Sequence, residues 1–207
     1  MSQLIACQNK NGIVLAADSA AVDFKITGEM VAMKVERIIT LGPKAAILAG
    51  GAPDGVHMCE SLRNFISEEG LTDIQDIYAA ALPFLASEYE RFMRKTCEVL
   101  PVDPMHHIYF VLAGMTEKDS ARPFRIYMLW AKKKLPQLDG DEIACAYSAP
   151  RRMSLEYKLN QMCKENATLK SIFEFMKEKM EKLGSEEEVG PPYHYAFISR
   201  EGFKLFS

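Results

Sequence analysis

Short apolar segments and longer amphipathic segments alternate in blocks along the chain. Residues 4–8 and 13–17 are short, apolar and separated by an Asn/Gly turn, which predicts a β-hairpin. Residues 33–41 and 45–49 repeat this pattern around a Gly-Pro turn and predict a second pair of strands. The first block of the chain is therefore expected to form antiparallel β-structure.

The second block has helical periodicity. Asp54 is a favourable N-cap, and apolar residues follow it at helical spacing as far as Gly70, so a first helix is expected here. A longer helix is predicted over residues 72–95. The remaining predicted elements, in chain order, are strands at 107–114, 124–131 and 142–147, helices at 153–163 and 168–183, and strands at 193–199 and 203–206.

The order of these elements favours one α+β domain over residues 1–207. Strands cluster apart from helices, which is typical of antiparallel sheets rather than a doubly wound parallel sheet. Several strands, such as residues 13–17, are apolar on both faces. Such strands suit a sheet that packs against another sheet on one face and against helices on the other. Two helix pairs and two sheets then predict a four-layer α-β-β-α sandwich.

Charge and composition narrow the classes of function. The 207 residues carry a net charge of −3, and no Lys/Arg cluster is long enough for a nucleic-acid surface. No apolar run reaches the ~18–20 residues needed to cross a bilayer, and no signal peptide is recognised. The five cysteines are dispersed, which indicates reduced thiols in a cytoplasmic protein. Neither cysteines nor histidines have zinc-site spacing, so we expect no metal and no cofactor.

Ser2 is the first candidate for chemistry. If Met1 is removed, Ser2 carries a hydroxyl nucleophile and a free α-amine on the same residue. An α-amine titrates near pKa ~7.7–8.0, so a useful fraction is neutral at cellular pH and can act as a base. A residue that supplies its own base needs no separate histidine. A serine at position two is common in proteins, so this feature needs the support of other positions.

Other positions give that support. Asp18 ends the segment Gly-Ile-Val-Leu-Ala-Ala-Asp-Ser, Lys34 stands sixteen residues later, and an Ala-Gly-Gly turn at 49–51 follows. With Ser2, these residues resemble the start of proteasome β-type subunits, which are N-terminal nucleophile hydrolases that usually have threonine as nucleophile. Two extra residues separate the lysine from the glycine turn. The segment 189–202 looks more like bacterial ancestral β-subunit relatives than like true proteasomes.

The resemblance implies roles for five residues. Ser2 would attack a carbonyl carbon, and Lys34 would place a positive charge beside its hydroxyl. Asp18 would pair with Lys34, because an inward-facing charge needs a partner. Gly50 would donate its backbone N–H to the oxyanion. Ser148 stands where the family has a serine in a Gly-Ser-Gly turn, although the glycines are missing here. Outside this context each residue would suit an ordinary strand or turn.

Further positions extend the resemblance, and some of them differ from the family's pattern. Glu186 and Val189 stand where the family has an aspartate and a serine, so Glu186 is a candidate partner of the amine, and valine cannot replace a hydroxyl. The alternative for Glu186 is a solvated acidic loop. Four apolar residues would line the pocket for the residue before the scissile bond, or could equally belong to the core: Ala21, Ala32, Leu48 and Ala52.

The leading hypothesis is a peptidase or amidohydrolase with a serine N-terminal nucleophile. The resemblance implies stacked rings or a related closed or spiral assembly, often working with an ATP-dependent unfoldase, with peptide or amide substrates and neither nucleic acid nor membrane as partner. Two alternatives stay open. One is a non-catalytic assembly subunit that keeps the fold, and the other is an amidase for a small metabolite on the same fold.

Overall fold

The computed structural model describes residues 2–24, 30–97, 107–132, 137–184 and 189–206. Within this part the protein is mixed α+β, as expected. The strands are β1 Leu4–Asn9, β2 Gly12–Ala17, β3 Ala20–Phe24, β4 Met30–Lys34, β5 Ile38–Gly42, β6 Ala45–Gly51, β7 Ile108–Met115, β8 Phe124–Trp130, β9 Asp139–Ile143, β10 Ala146–Ala149, β11 His194–Ser199 and β12 Gly202–Phe206. The helices are α1 Asp54–Glu68, α2 Ile74–Cys97, α3 Met153–Lys164 and α4 Leu169–Leu183.

The described strands form three antiparallel sheets. One five-stranded sheet has the order β10-β1-β2-β11-β12, and a second has the order β5-β6-β7-β8-β9. Strands β3 and β4 pair only with each other. The predicted first hairpin is confirmed, because β1 and β2 pair antiparallel with Leu4 opposite Ala17. Strand β11 pairs with β2, so both ends of the described chain lie in the same sheet.

Alternating side chains of the strands enter different hydrophobic clusters. Leu4 and Ala6 of β1 lie in a cluster that also contains residues of β5 to β8. Ile5 and Cys7 lie in a cluster with apolar residues of α3 and α4. A further cluster joins the second five-stranded sheet to α1 and α2. Both faces of β1 and β2 are therefore buried, which explains why the apolar runs in these strands do not alternate with polar residues.

Three strand predictions were incomplete. The predicted strand at 142–147 is two strands, β9 and β10, which belong to different five-stranded sheets. Residues 33–41 likewise divide between β4 and β5, and β3 was missed. Apolar content alone does not mark where a chain leaves one sheet and enters another. At the predicted cap of α1, Pro53 takes the N-cap position without a side-chain hydrogen bond, and Asp54 is the first helical residue.

None of the helices in the described ranges is long and apolar enough to cross a membrane.

Candidate functional site

The Ser2 hydroxyl lies where the two five-stranded sheets approach each other. Ser2 lies two residues before Leu4, the first residue of β1, and is 4% exposed. The backbone N–H of Gly51, at the end of β6, donates to Ser2 Oγ at 2.9 Å. The hydroxyl of Tyr109, in β7, lies 3.1 Å from Ser2 Oγ. Two groups of the second sheet therefore hold the hydroxyl of a residue that leads into the first.

Tyr109 was not identified from the sequence. Its hydroxyl lies 3.4 Å from the carbonyl oxygens of both Ser2 and Ala149, so it can donate to either. When it does so, its oxygen is free to accept the proton of the Ser2 hydroxyl. Burial raises the pKa of Tyr109, against the lowering effects of the Ser2 hydrogen bond and the Arg37 charge. The phenol therefore stays protonated at neutral pH.

Two glycines shape the space around these hydroxyls. A Cβ on Gly50 would lie 2.1 Å from a ring carbon of Tyr109, so the absence of a side chain lets the ring approach the strand. Gly51 has φ +85°, in the region that favours glycine, and a Cβ there would lie 1.9 Å from the His107 carbonyl oxygen. This backbone conformation places the Gly51 N–H on Ser2 Oγ. Gly50 stays the predicted N–H donor to the oxyanion, and it is the neighbouring Gly51 N–H that contacts the Ser2 hydroxyl.

Asp18 fixes the backbone next to Ser2. Its carboxylate is fully buried just after β2, and Oδ1 accepts the N–H of Gln3 at 2.9 Å. Oδ2 accepts the N–H of Gly190 at 3.4 Å. Burial raises the pKa of Asp18, and the backbone N–H of Gln3 and the charge of Arg37 partly oppose this rise. The carboxylate thus ties the start of β1 to the segment that precedes β11.

Arg37 supplies the positive charge of the site. Its Nε lies 3.5 Å from Asp18 Oδ1, and both side chains are 0% exposed. Its two terminal nitrogens donate to the carbonyl oxygens of Ala49 at 3.2 Å and Ala20 at 2.6 Å. Burial lowers the pKa of Arg37, while Asp18 and Tyr109 favour its charged form. An arginine keeps its proton in proteins, so this cation stabilises negative charge but does not accept protons.

The predicted ion pair between Asp18 and Lys34 does not form. Lys34 is exposed at the end of β4, and the structure shows no ion pair between these two described residues. Strand β4 is exposed along its whole length because the β3–β4 hairpin is a separate two-stranded sheet. Arg37 lies three residues later, directly before Ile38 enters the core with β5. A charged residue next to a buried apolar run was the signal that could have identified Arg37.

Ser148 belongs to a different polar cluster. It is fully buried, and its hydroxyl donates to Glu156 Oε1 at 2.9 Å and accepts the N–H of Arg152 at 2.8 Å. It lies opposite Ile5 in the β1–β10 pair, so it shares the helix-facing side of the sheet. The structure therefore does not bring Ser148 to the Ser2 hydroxyl. Glu186, the predicted partner of the α-amine, lies outside the described residues.

The four predicted pocket residues do not share one surface. Leu48 is fully buried in the cluster between the two five-stranded sheets, and Ala52 lies in the cluster with α1 and α2. Ala21 pairs with Met33, and Ala32 belongs to the adjacent cross-strand pair. Side chains of adjacent pairs point to opposite faces of a sheet, so Ala21 and Ala32 lie on opposite faces of the β3–β4 hairpin. Ala21 is buried and Ala32 is exposed. Their spacing along the chain gave no information about these faces.

The start of β1 is also held by side chains from the segment before α3. Arg152 Nε donates to Gln3 Oε1 at 2.7 Å, and Gln3 Nε2 donates to the carbonyl oxygens of Leu4 at 3.2 Å and Pro150 at 3.3 Å. Gln3 is fully buried. These bonds fix the backbone directly after Ser2. Within the described ranges, no group of three or more His, Cys, Asp or Glu residues is arranged to hold a metal ion.

Comparison with known proteins gave no assignment. A scan against protein-family models found no match, and a search of curated proteins found none either.

Proposed function

We propose that this chain is an N-terminal nucleophile hydrolase in which Ser2, exposed by removal of Met1, cleaves peptide or amide bonds. One observation carries the proposal. The Ser2 hydroxyl is buried between the Gly51 N–H and the Tyr109 hydroxyl, next to a buried Asp18–Arg37 ion pair. A serine hydroxyl held by these two hydrogen bonds has a restricted direction, and the Gly51 N–H favours negative charge on its oxygen.

The reaction would use the α-amine of Ser2 as its base. The amine takes the Oγ proton as Oγ attacks the carbonyl carbon. It then passes this proton to the leaving nitrogen as the C–N bond breaks, which gives an acyl ester, an amine product and a neutral α-amine. Water, activated by the same amine, then hydrolyses the ester and restores the hydroxyl. The Gly51 N–H stabilises negative charge on Ser2 Oγ during attack.

Tyr109 would orient the nucleophile. Serine lacks the methyl group that restricts χ1 in threonine, so its hydroxyl has more rotamers available. A hydrogen bond from the Gly51 N–H and another with the Tyr109 hydroxyl restrict this freedom. Asp18 would act on Ser2 indirectly. It accepts the Gln3 N–H and thereby fixes the peptide group that follows Ser2.

The architecture proposed with this function is a four-layer α-β-β-α sandwich in the cytoplasm. Its support is the set of three clusters, two joining a sheet to a helix pair and one containing residues of both five-stranded sheets. We also propose that the protein self-associates into a ring or spiral and that this assembly acts together with an ATP-dependent unfoldase. The exposed apolar side chains of Met30 and Met33 on the β3–β4 hairpin favour self-association, since they would gain by burial.

An intact-mass measurement of the protein from its native cells, followed by labelling with a peptide epoxyketone, tests the proposal. Loss of about 131 Da from the sequence mass shows removal of Met1. An epoxyketone adduct that requires both the hydroxyl and the free amine should then form on the wild type. It should be absent from Ser2→Ala, whose amine is retained. A processed wild-type chain that forms no adduct and cleaves no peptide would contradict the proposal.

A non-catalytic assembly subunit is the second candidate. Two observations favour it: Lys34 is exposed, and Val189 is buried among apolar residues where the related hydrolases have a hydroxyl. The cation that pairs with Asp18 is an arginine, which cannot exchange a proton with the nucleophile. A retained Met1, no adduct and a large complex on sizing would support this candidate. An active dimer on sizing would instead support a small-metabolite amidase.

A further inference from the structure

Three cysteines from distant parts of the sequence meet beneath α3, away from Ser2. Cys7 is in β1, Cys145 lies between β9 and β10, and Cys163 is near the end of α3. The sulfur atoms of Cys7 and Cys163 are 3.0 Å apart. Cys145 donates to the Gln8 carbonyl oxygen at 3.8 Å, one residue after Cys7 in β1. The Cys163 thiol also raises the pKa of Cys145, so Cys163 interacts with both other thiols.

The three thiols differ in access to solvent. Cys7 and Cys163 are buried, and Cys145 is half-buried. Cys145 lines a cavity of about 510 Å³ that opens at the surface beside Trp130, Tyr147 and Arg151. A small reagent in this cavity can reach Cys145 directly. Cys7 and Cys163 do not line this cavity.

We infer that this cluster is an oxidisable relay, in which hydrogen peroxide reacts at Cys145 and the product is a Cys7–Cys163 disulfide. The Cys145 sulfur attacks the peroxide, the O–O bond breaks, and a sulfenic acid and water form. The Cys163 sulfur then attacks the Cys145 sulfur, and the S–O bond breaks with loss of a second water. Cys7 next attacks Cys163, and its proton passes to the released Cys145 thiol. The sum is two thiols and one hydrogen peroxide giving one disulfide and two waters.

The reduced cluster is stable towards weak oxidants. The hydrogen bond with Cys163 and burial raise the pKa of Cys145. At Cys163 the hydrogen bond with Cys145 lowers the pKa, but the contact with Cys7 and burial raise it overall to about 12. Because the thiolate is the reactive form, oxidation is slow and needs an excess of hydrogen peroxide. The disulfide would link β1, which follows Ser2, to α3.

Oxidation of the full chain with excess hydrogen peroxide tests the relay. Free thiols are alkylated under denaturing conditions at successive times, and peptide mapping by mass spectrometry assigns each disulfide. We expect an early Cys145–Cys163 disulfide, a final Cys7–Cys163 disulfide and a mass lower by about 2 Da. Cys145→Ser should slow disulfide formation at least about tenfold, and Cys163→Ser should abolish it. Cys59→Ser is the matched control, since Cys59 is buried in the cluster with α1 and α2.

Three results would overturn the inference. They are oxidation of Cys145→Ser as fast as wild type, a dominant disulfide that involves Cys59, and direct conversion of the cysteines to sulfinic acids without a disulfide. If a serine variant does not fold, the order of the two disulfides in the wild-type time course decides the relay alone. A Cys7–Cys163 disulfide that appears before any Cys145–Cys163 disulfide contradicts it. None of these measurements depends on hydrolytic activity.

Discussion

The carboxylate of Asp18 and the guanidinium of Arg37 lie 3.5 Å apart, and neither side chain is exposed. The pair joins the end of β2 to the residue before β5, and so connects the two five-stranded sheets. Asp18 also accepts a hydrogen bond from the Gln3 backbone N–H, and Arg37 donates to the carbonyl oxygens of Ala20 and Ala49. One buried ion pair thus serves both the packing of the sheets and the position of Ser2.

Removal of Arg37 should be strongly destabilising. Arg37→Met leaves the Asp18 carboxylate buried without its counter-charge, and such losses cost about 3–5 kcal/mol of unfolding free energy. Lys34→Met is the matched control, because Lys34 is exposed, and its effect should stay within about 0.5 kcal/mol. Urea unfolding followed by circular dichroism measures both. Equal losses in the two variants would contradict the assignment of Arg37 as the structural cation.

Loss of the Tyr109 hydroxyl should reduce turnover more than binding. Tyr109→Phe keeps the ring beside Gly50 but removes the 3.1 Å contact with Ser2 Oγ, and a hydrogen bond of about 1–1.5 kcal/mol corresponds to roughly a tenfold fall in kcat. Ser2→Thr should recover most of this loss, since the threonine methyl restricts χ1. Steady-state kinetics or epoxyketone inactivation rates measure the four combinations. Identical effects of Ser2→Thr in both backgrounds would exclude the orienting role.

A side chain at Gly50 should displace Tyr109. The added Cβ of Gly50→Ala would meet the ring at 2.1 Å, so the ring must move and its hydrogen bond with Ser2 must break. We expect a stability loss of about 1–3 kcal/mol together with a larger fall in activity than in Tyr109→Phe. Combining Gly50→Ala with Tyr109→Ala removes the clash, so the two stability losses should be less than additive. Full additivity in chemical unfolding would contradict this contact.

Acid should weaken the Ser148 cluster through Glu156. Burial opposes ionisation of Glu156, but hydrogen bonds from Arg151 and Ser148 outweigh it and lower the pKa below 4.5. A lowered carboxylate pKa contributes stability above the unfolded-state value, and this contribution is lost as the pH falls through the folded-state value. Glu156→Gln should therefore show a flatter decline of unfolding free energy below about pH 4.5. An unchanged slope in urea titrations would contradict the assignment.

The hydrophobic pattern of the sequence determined the α+β class, the first hairpin and the approximate positions of all four described helices. Ser2 and Asp18 were predicted as site residues from the family resemblance of the N-terminal segment, and hydrophobic periodicity does not single them out. The hydrophobic pattern did not separate β9 from β10, because the side chains of residues 142–147 do not indicate which sheet each strand joins. The α1 cap was misplaced by one residue for a similar local reason.

Tertiary structure alone decided which residues surround the Ser2 hydroxyl. The sequence does not distinguish Tyr109 from any other aromatic residue of a buried strand. Only the pairing of β6 with β7 places it over Gly50 and against Ser2. Arg37 rather than Lys34 pairs with Asp18 because the β3–β4 hairpin forms a separate two-stranded sheet, in which Lys34 is exposed to water. Periodicity along a chain reports which side chains avoid water. Contacts between residues a hundred positions apart depend on sheet order and register, which arise only when the whole chain packs.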